Sequence, residues 1–109
     1  REKTARIISE KFNASCVILK GNKTVVYFKD KEETFVCEDG GPELSTGGTG
    51  DILCGVISSL LAQGISLYEA SLLGVAVHAK AGEIFADKYG EIGLNATAII
   101  PIIRELLNK

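Results

Sequence analysis

A chain of 109 residues, 46% hydrophobic and 24% charged, holds enough apolar material for a real core and too little charge for a disordered chain. Its formal net charge of -2 lacks the basic excess of a dedicated nucleic-acid binder, and no apolar run reaches the roughly 18 residues of a membrane helix. Neither nucleic acid nor membrane is therefore an expected partner, although a small anion held by local groups remains possible chemistry.

The sequence has no methionine and begins at Arg1 inside what already reads as a helix. It is expected to be a processed product or a piece of a longer polypeptide. No secretory signal pattern opens it. Its three cysteines, Cys16, Cys37 and Cys54, match no zinc or redox spacing and sit in apolar stretches. They are expected to be buried, reduced thiols of a cytoplasmic protein.

In chain order, Ala5, Ile8 and Phe12 recur at helical spacing and predict a helix from Arg1 to Phe12, ended by Asn13 and Ala14. Cys16 to Leu19 (CVIL) reads as a short buried strand, with Lys20 and Gly21 at its C-terminal end. Thr24 to Phe28 (TVVYF) and Thr34 to Cys37 (TFVC) flank a charged turn and predict a hairpin. The stretch from Glu38 to Gly50 holds five glycines and Pro42 and predicts a loop.

Helical spacing returns with Ile52, Leu53, Val56, Ile57, Leu60 and Leu61, and Gln63 and Gly64 end that helix. Ser66 and Glu69 form a capping-box pattern that starts a helix running to about Lys88. Its middle is small or apolar all round, which predicts deep burial. Gly55 and Gly74 are expected to let these two helices approach closely. A last helix runs through Ile99, Ile102, Ile103, Leu106 and Leu107, with Pro101 in its first turn and Asn95 or Thr97 as its cap. The order, one helix, three short strands and three helices, predicts an α/β layer architecture. Three strands are few for so many apolar helices, so partners for them are expected.

The chemistry concentrates in Ser45 to Asp51, STGGTGD, directly before an apolar helix. Gly47, Gly48 and Gly50 permit positive φ and close backbone approach to a ligand. Amides at a helix N-terminus then make an anion site that needs no loop lysine, and the Walker GxxxxGK[ST] pattern is absent. Asp51 falls in the first helical turn. It is either an ordinary helix-start residue or a carboxylate aimed at a hydroxyl that attacks a bound phosphate. Lys20 is either a solvated strand-end lysine or a phosphate contact at the carboxyl end of a strand, where open parallel sheets bind ligands. His78, the only histidine, reads first as a satisfied core residue. Glu83 and Asp87 share its face without the HExxH spacing, so no protein metal site is expected.

Three segments carry a resemblance. VILKGNKTVV (Val17 to Val26), GGPELSTGGTGDILCGVISSLLAQG (Gly40 to Gly64) and ASLLGVAVHAKAGEIFADKYGEIGLNAT (Ala70 to Thr97) resemble the ADP-dependent NAD(P)H-hydrate dehydratase family. Sugar kinases of the same fold more often show GAGD, and thiamine-pathway kinases often replace the aspartate by cysteine. The resemblance implies that the chain is the C-terminal portion of a single ribokinase-like three-layer α/β/α domain spanning residues 1–109, its N-terminal part absent.

It implies a nicotinamide-cofactor repair lyase. A nucleotide, ADP or ATP with Mg2+, phosphorylates the hydroxyl of hydrated NAD(P)H, and loss of phosphate restores the cofactor. Lys20, Gly21, Asn22, Lys23 and Thr24 match the family's KGxxT nucleotide loop, and Gly50 its nucleotide-contacting glycine. Asp51 matches the residue at the substrate and is the expected catalytic base, with the amides of Gly47, Gly48, Thr49 and Gly50 as the anion hole. Ala96, Thr97 and Ala98 lack the aspartate that often follows the small-residue–Ser/Thr step, which leaves that step a capping role. Association with a missing N-terminal segment, or a homo-oligomer, is expected to cover the apolar faces. The competing readings are a small-molecule kinase of the same fold and a non-catalytic nucleotide-binding fragment.

Overall fold

The computed structural model describes residues 1–21, 23–39, 47–90 and 92–108. The loop residues 40–46, and with them Pro42, Ser45 and Thr46, lie outside the described residues, as does Asn22. The chain divides into two compact units, Arg1–Glu38 and Asp39–Lys109.

The first unit is a helix on a three-stranded meander. Helix α1 (Glu2–Phe12) ends where Asn13 turns left-handed at φ 52, a conformation Asn tolerates better than most residues. Strands β1 (Cys16–Leu19), β2 (Thr24–Phe28) and β3 (Glu33–Cys37) form one antiparallel sheet in the order β1-β2-β3. The register pairs Val17 with Tyr27 and Leu19 with Val25. Alternation therefore brings Val17, Leu19, Val25 and Tyr27 to one face, where they pack on Ala5, Ile8 and Ala14. Val26 and Phe28 point the other way, and Phe28 meets Phe35 edge-on with ring centroids 6.0 Å apart.

Three expectations change here. The stripe on α1 is offset: Ala5 and Ser9 are buried, while Phe12 is 71% exposed. Ser9 is accommodated because its hydroxyl donates to the Ala14 carbonyl at 2.6 Å. Strand β1 is not buried throughout, since only Val17 is. The pairing of β1 with β2 is antiparallel, so within this sheet Lys20 begins a hairpin connection rather than ending a parallel strand. The physical reason is length: a parallel return needs a crossover of about a dozen residues, and Lys20 to Lys23 is far shorter.

The second unit is helical. It comprises α2 (Thr49–Ala62), α3 (Leu67–Tyr89), a short 3-10 helix (Ala96–Ile99) and α4 (Ile100–Leu107). Ser66 caps α3 as its pattern predicts, accepting the Glu69 amide at 3.1 Å. Asn95 is the cap before the 3-10 helix and accepts the Ala98 amide at 3.0 Å, while Thr97 donates to the Asn95 side chain at 2.9 Å. The expected last helix is thus divided, Ile99 closing a 3-10 turn and Pro101 standing in the first turn of α4, where its missing N–H is harmless. Val77, Ala81, Leu94, Ile99 and Ile103 form the core, with Ile52, Val56 and Phe85 against it.

The two glycines expected at the α2–α3 contact separate in role. Gly74 is at it: a Cβ there would lie 2.5 Å from Ile57 Cγ1. Gly55 is exposed with nothing within 4 Å of that position. All three cysteines are thiols, but Cys16 and Cys37 are half-buried and Cys54 is exposed, so the expected burial fails. An apolar neighbourhood in sequence does not place every member of it on the buried side of its element. No helix of the described residues is long and apolar enough to cross a membrane.

Candidate active site

Within the second unit the glycine turn meets the 3-10 helix at Ala96 and α3 at His78. Gly48 is the N-cap of α2 and holds φ at 93, a left-handed value that a side chain would strain. A Cβ at that position would also come within 3.1 Å of the Ala96 Cβ on the 3-10 helix. The Gly48 carbonyl accepts the Ile52 amide at 3.2 Å, which starts the helix, and among the described residues no side chain caps it. First-turn amides of such a helix have no helical acceptor and project from its N-terminus, where the macrodipole favours an anion.

Thr49 is only 2% exposed, whereas Gly47, Gly48 and Asp51 are exposed and Gly50 is half-exposed. The turn is therefore anchored at Thr49 and open around it. The anchor is His78, 3% exposed on α3, whose Nε2 lies 2.9 Å from the Thr49 carbonyl oxygen. The reading of His78 as a satisfied core residue holds.

Asp51 opens a groove of about 310 Å³ between α2 and α4. Asp51, Gly55 and Ser59 line it from α2, Gln63 from the cap that ends that helix, and Ile100 and Leu107 from α4. Gly55 widens the groove by the side chain it lacks, a role that its sequence context did not signal. The carboxylate thus stands at one end of a mostly apolar trough, beside the amides of its own first turn.

In the first unit, Lys20, Gly21 and Lys23 lie in the β1–β2 connection and Thr24 begins β2, paired with Cys37. Lys20, Gly21 and Lys23 are exposed. Lys23 pairs with Glu38 at 3.1 Å, an exposed ion pair that contributes about 0–1 kcal/mol. The Arg1 guanidinium donates to the Leu19 carbonyl at 2.8 Å, and a Cβ at Gly21 would run into it. Nothing in the sequence pattern pointed to Arg1. Lys20, Gly21, Lys23 and Thr24 belong to the first unit and Gly47 to Asp51 to the second.

Among the described residues, no cluster of three His, Cys, Asp or Glu side chains could hold a metal ion.

Known structures place this architecture among the carbohydrate-kinase-like enzymes. A Bacillus subtilis ADP/ATP-dependent NAD(P)H-hydrate dehydratase, crystallised with ATP and Mg2+ and soaked with CoA, superposes with a TM-score of 0.90 at 28% identity, over 99% of this chain and 39% of that one. A Streptococcus mutans protein shares the fold with a TM-score of 0.84 at 22% identity, over 99% of this chain and 38% of that one. The family assignment is narrower: residues 1–105 match the NAD(P)H-hydrate dehydratase family, and the chain belongs to it.

Among curated relatives, an ADP-dependent (S)-NAD(P)H-hydrate dehydratase of Neisseria meningitidis is 41% identical over the whole of this chain and 36% of its own length. A bifunctional NAD(P)H-hydrate repair enzyme of Vibrio cholerae is 45% identical over 84% of this chain and 18% of its own length. The chain thus spans between about a fifth and two fifths of the proteins it matches.

Proposed function

We propose that this chain is the C-terminal, nucleotide-handling portion of a single ribokinase-like domain, covering residues 1–109, in an ADP-dependent NAD(P)H-hydrate dehydratase. The observation that carries the reading is the glycine-opened start of α2, with Asp51 exposed in its first turn at the end of a groove. The names of the relatives, and a neighbour crystallised with ATP and Mg2+, support ADP or ATP as donor and hydrated NAD(P)H as substrate.

In this reading Asp51 takes the proton of the hydrate hydroxyl as that oxygen attacks the terminal phosphorus of the nucleotide. The bond to the bridging oxygen breaks, and AMP leaves when ADP is the donor. The amides of Gly47, Gly48, Thr49 and Gly50 hold the charge of the phosphoryl group in transfer. The C–O bond to the new phosphate then breaks, the neighbouring carbon loses a proton, and the ring double bond of NAD(P)H returns. Mg2+ supplies charge neutralisation on the nucleotide phosphates when bound. Lys20, Gly21, Asn22, Lys23 and Thr24 bind the nucleotide, with Gly50 contacting it from the second unit. The thiol state of the three cysteines supports a cytoplasmic setting. The share of the relatives left unmatched supports association with an N-terminal segment, or with further copies of the chain.

The test is the product of incubating the full polypeptide with NADH hydrate, ADP and Mg2+. Restored NADH absorbance with one AMP and one phosphate per turnover is expected. A stable phosphorylated hydrate without restored NADH would make it a kinase instead. Asp51→Asn is expected to lower kcat by roughly 10²- to 10⁴-fold, the range of general-base catalysis, with ADP affinity kept. Unchanged turnover would remove Asp51 from the base role.

A further inference from the structure

We propose that His78 is a positioning residue that aims the Gly50 amide at the transferring phosphoryl group. The inference rests on the reading above for its reaction, but not for its geometry. A carbonyl oxygen can only accept, so the 2.9 Å contact between His78 Nε2 and the Thr49 oxygen fixes the hydrogen on Nε2. The Thr49–Gly50 peptide is planar, and its N–H points opposite to its C=O. Holding the Thr49 oxygen therefore sets the direction of the Gly50 N–H, which projects outward from the start of α2.

Two further facts make this more than core filling. His78 is 3% exposed on a stretch of α3 otherwise lined by Gly74, Val75, Val77, Ala79, Ala81 and Gly82. Burying an imidazole among apolar groups is unfavourable unless it is hydrogen-bonded, and a Leu or Phe would fill that space without such a cost. The backbone it holds opens α2 at a turn whose residues 47, 48 and 50 are glycine, so side chains there restrict its peptide planes little. A hydrogen bond donated to the carbonyl also polarises the peptide and strengthens the N–H on its far side, by about 10–30% in condensed-phase estimates. His78 thus both orients and sharpens one donor of the anion hole from the opposite side of the turn.

The experiment compares His78→Phe, His78→Gln and His78→Asn in the full polypeptide. The Gln amide reaches the Nε2 position; the Asn amide stops short of it. Circular dichroism and the denaturant midpoint report folding. His78→Phe is expected to lower kcat roughly 10- to 100-fold with KM for ADP changed less than about threefold, a smaller loss than deleting an oxyanion donor because the amide remains but is misaimed. His78→Gln is expected to recover most of that loss and His78→Asn little of it. The second readout is the Gly50 amide resonance and its hydrogen-exchange rate, which should move in the Phe and Asn variants and stay near wild type in Gln. Wild-type kcat in His78→Phe overturns the proposal, and so does an unmoved Gly50 amide or a Gln variant no better than Asn. Should the Phe variant fail to fold, the Gln–Asn pair decides. A wild-type protein that turns over no hydrate with ADP defeats the functional reading alone, and the Gly50 amide then decides the role of His78.

Discussion

The two units of the chain solve the problem of specifying a backbone in different ways. In Arg1–Glu38, hydrogen-bonded ladders between sequence neighbours set the structure, and alternation along β1 and β2 assigns each side chain to a face. A one-residue slip would turn the whole apolar set over, so the register is strongly determined. In Asp39–Lys109, helices are placed by side-chain fit: Gly74 against Ile57, Gly48 against Ala96, and a core where α3, α4 and the 3-10 helix meet. The catalytic candidates follow the second solution. Thr49 and Gly48, beside Asp51, meet residues remote in sequence, whereas Lys23 and Thr24 meet the neighbouring strand and its end. Local ladders fix the strands, while remote packing steadies a glycine turn whose own residues leave its backbone free.

Substitutions can test that contrast. The largest effect on stability is expected from Ile99→Ala, since Ile99 is wholly buried at the junction of the helical core; a loss of about 2–5 kcal/mol should appear as a lowered denaturant midpoint. Val25→Ala in the sheet should remove less, about 2 kcal/mol or under, because fewer methyl groups leave the Ala5–Tyr27 cluster. Equal losses at the two sites would erase the distinction. Gly74→Ala should lower stability by about 1–3 kcal/mol, because its Cβ meets Ile57 at 2.5 Å; an unchanged midpoint would show that α2 and α3 separate easily. Ser66→Ala, which removes a cap from an otherwise well-packed helix, should give the smallest change, about 1 kcal/mol, read from the same unfolding curves.

How much of this was legible in the sequence follows the same division. The span Thr24–Phe28 and the start of α3 at Ser66 could be read directly, since alternation and a capping box are local signals. So could the glycine turn and its aspartate, because positive φ leaves a mark in residue type. The failures concern what stands opposite an element. Gly55 and Gly74 look alike in sequence, yet one faces Ile57 and the other an open groove. Phe12 continues a helical spacing and Cys54 sits in apolar company, yet both are exposed. The division of the last helix at Ile99 and Ile100 was hidden because a 3-10 turn and an α-helix share apolar spacing over so short a span. The Thr49–His78 link spans 29 positions and leaves no local pattern at all.

The exposure of Cys54 has a practical consequence. It stands one turn beyond Asp51 on the same helix, and of the three thiols it alone is exposed rather than half-buried. A maleimide fluorophore should therefore attach there in preference to Cys16 and Cys37. The chain carries its own attachment point for a reporter dye close to the groove, with no engineered cysteine required.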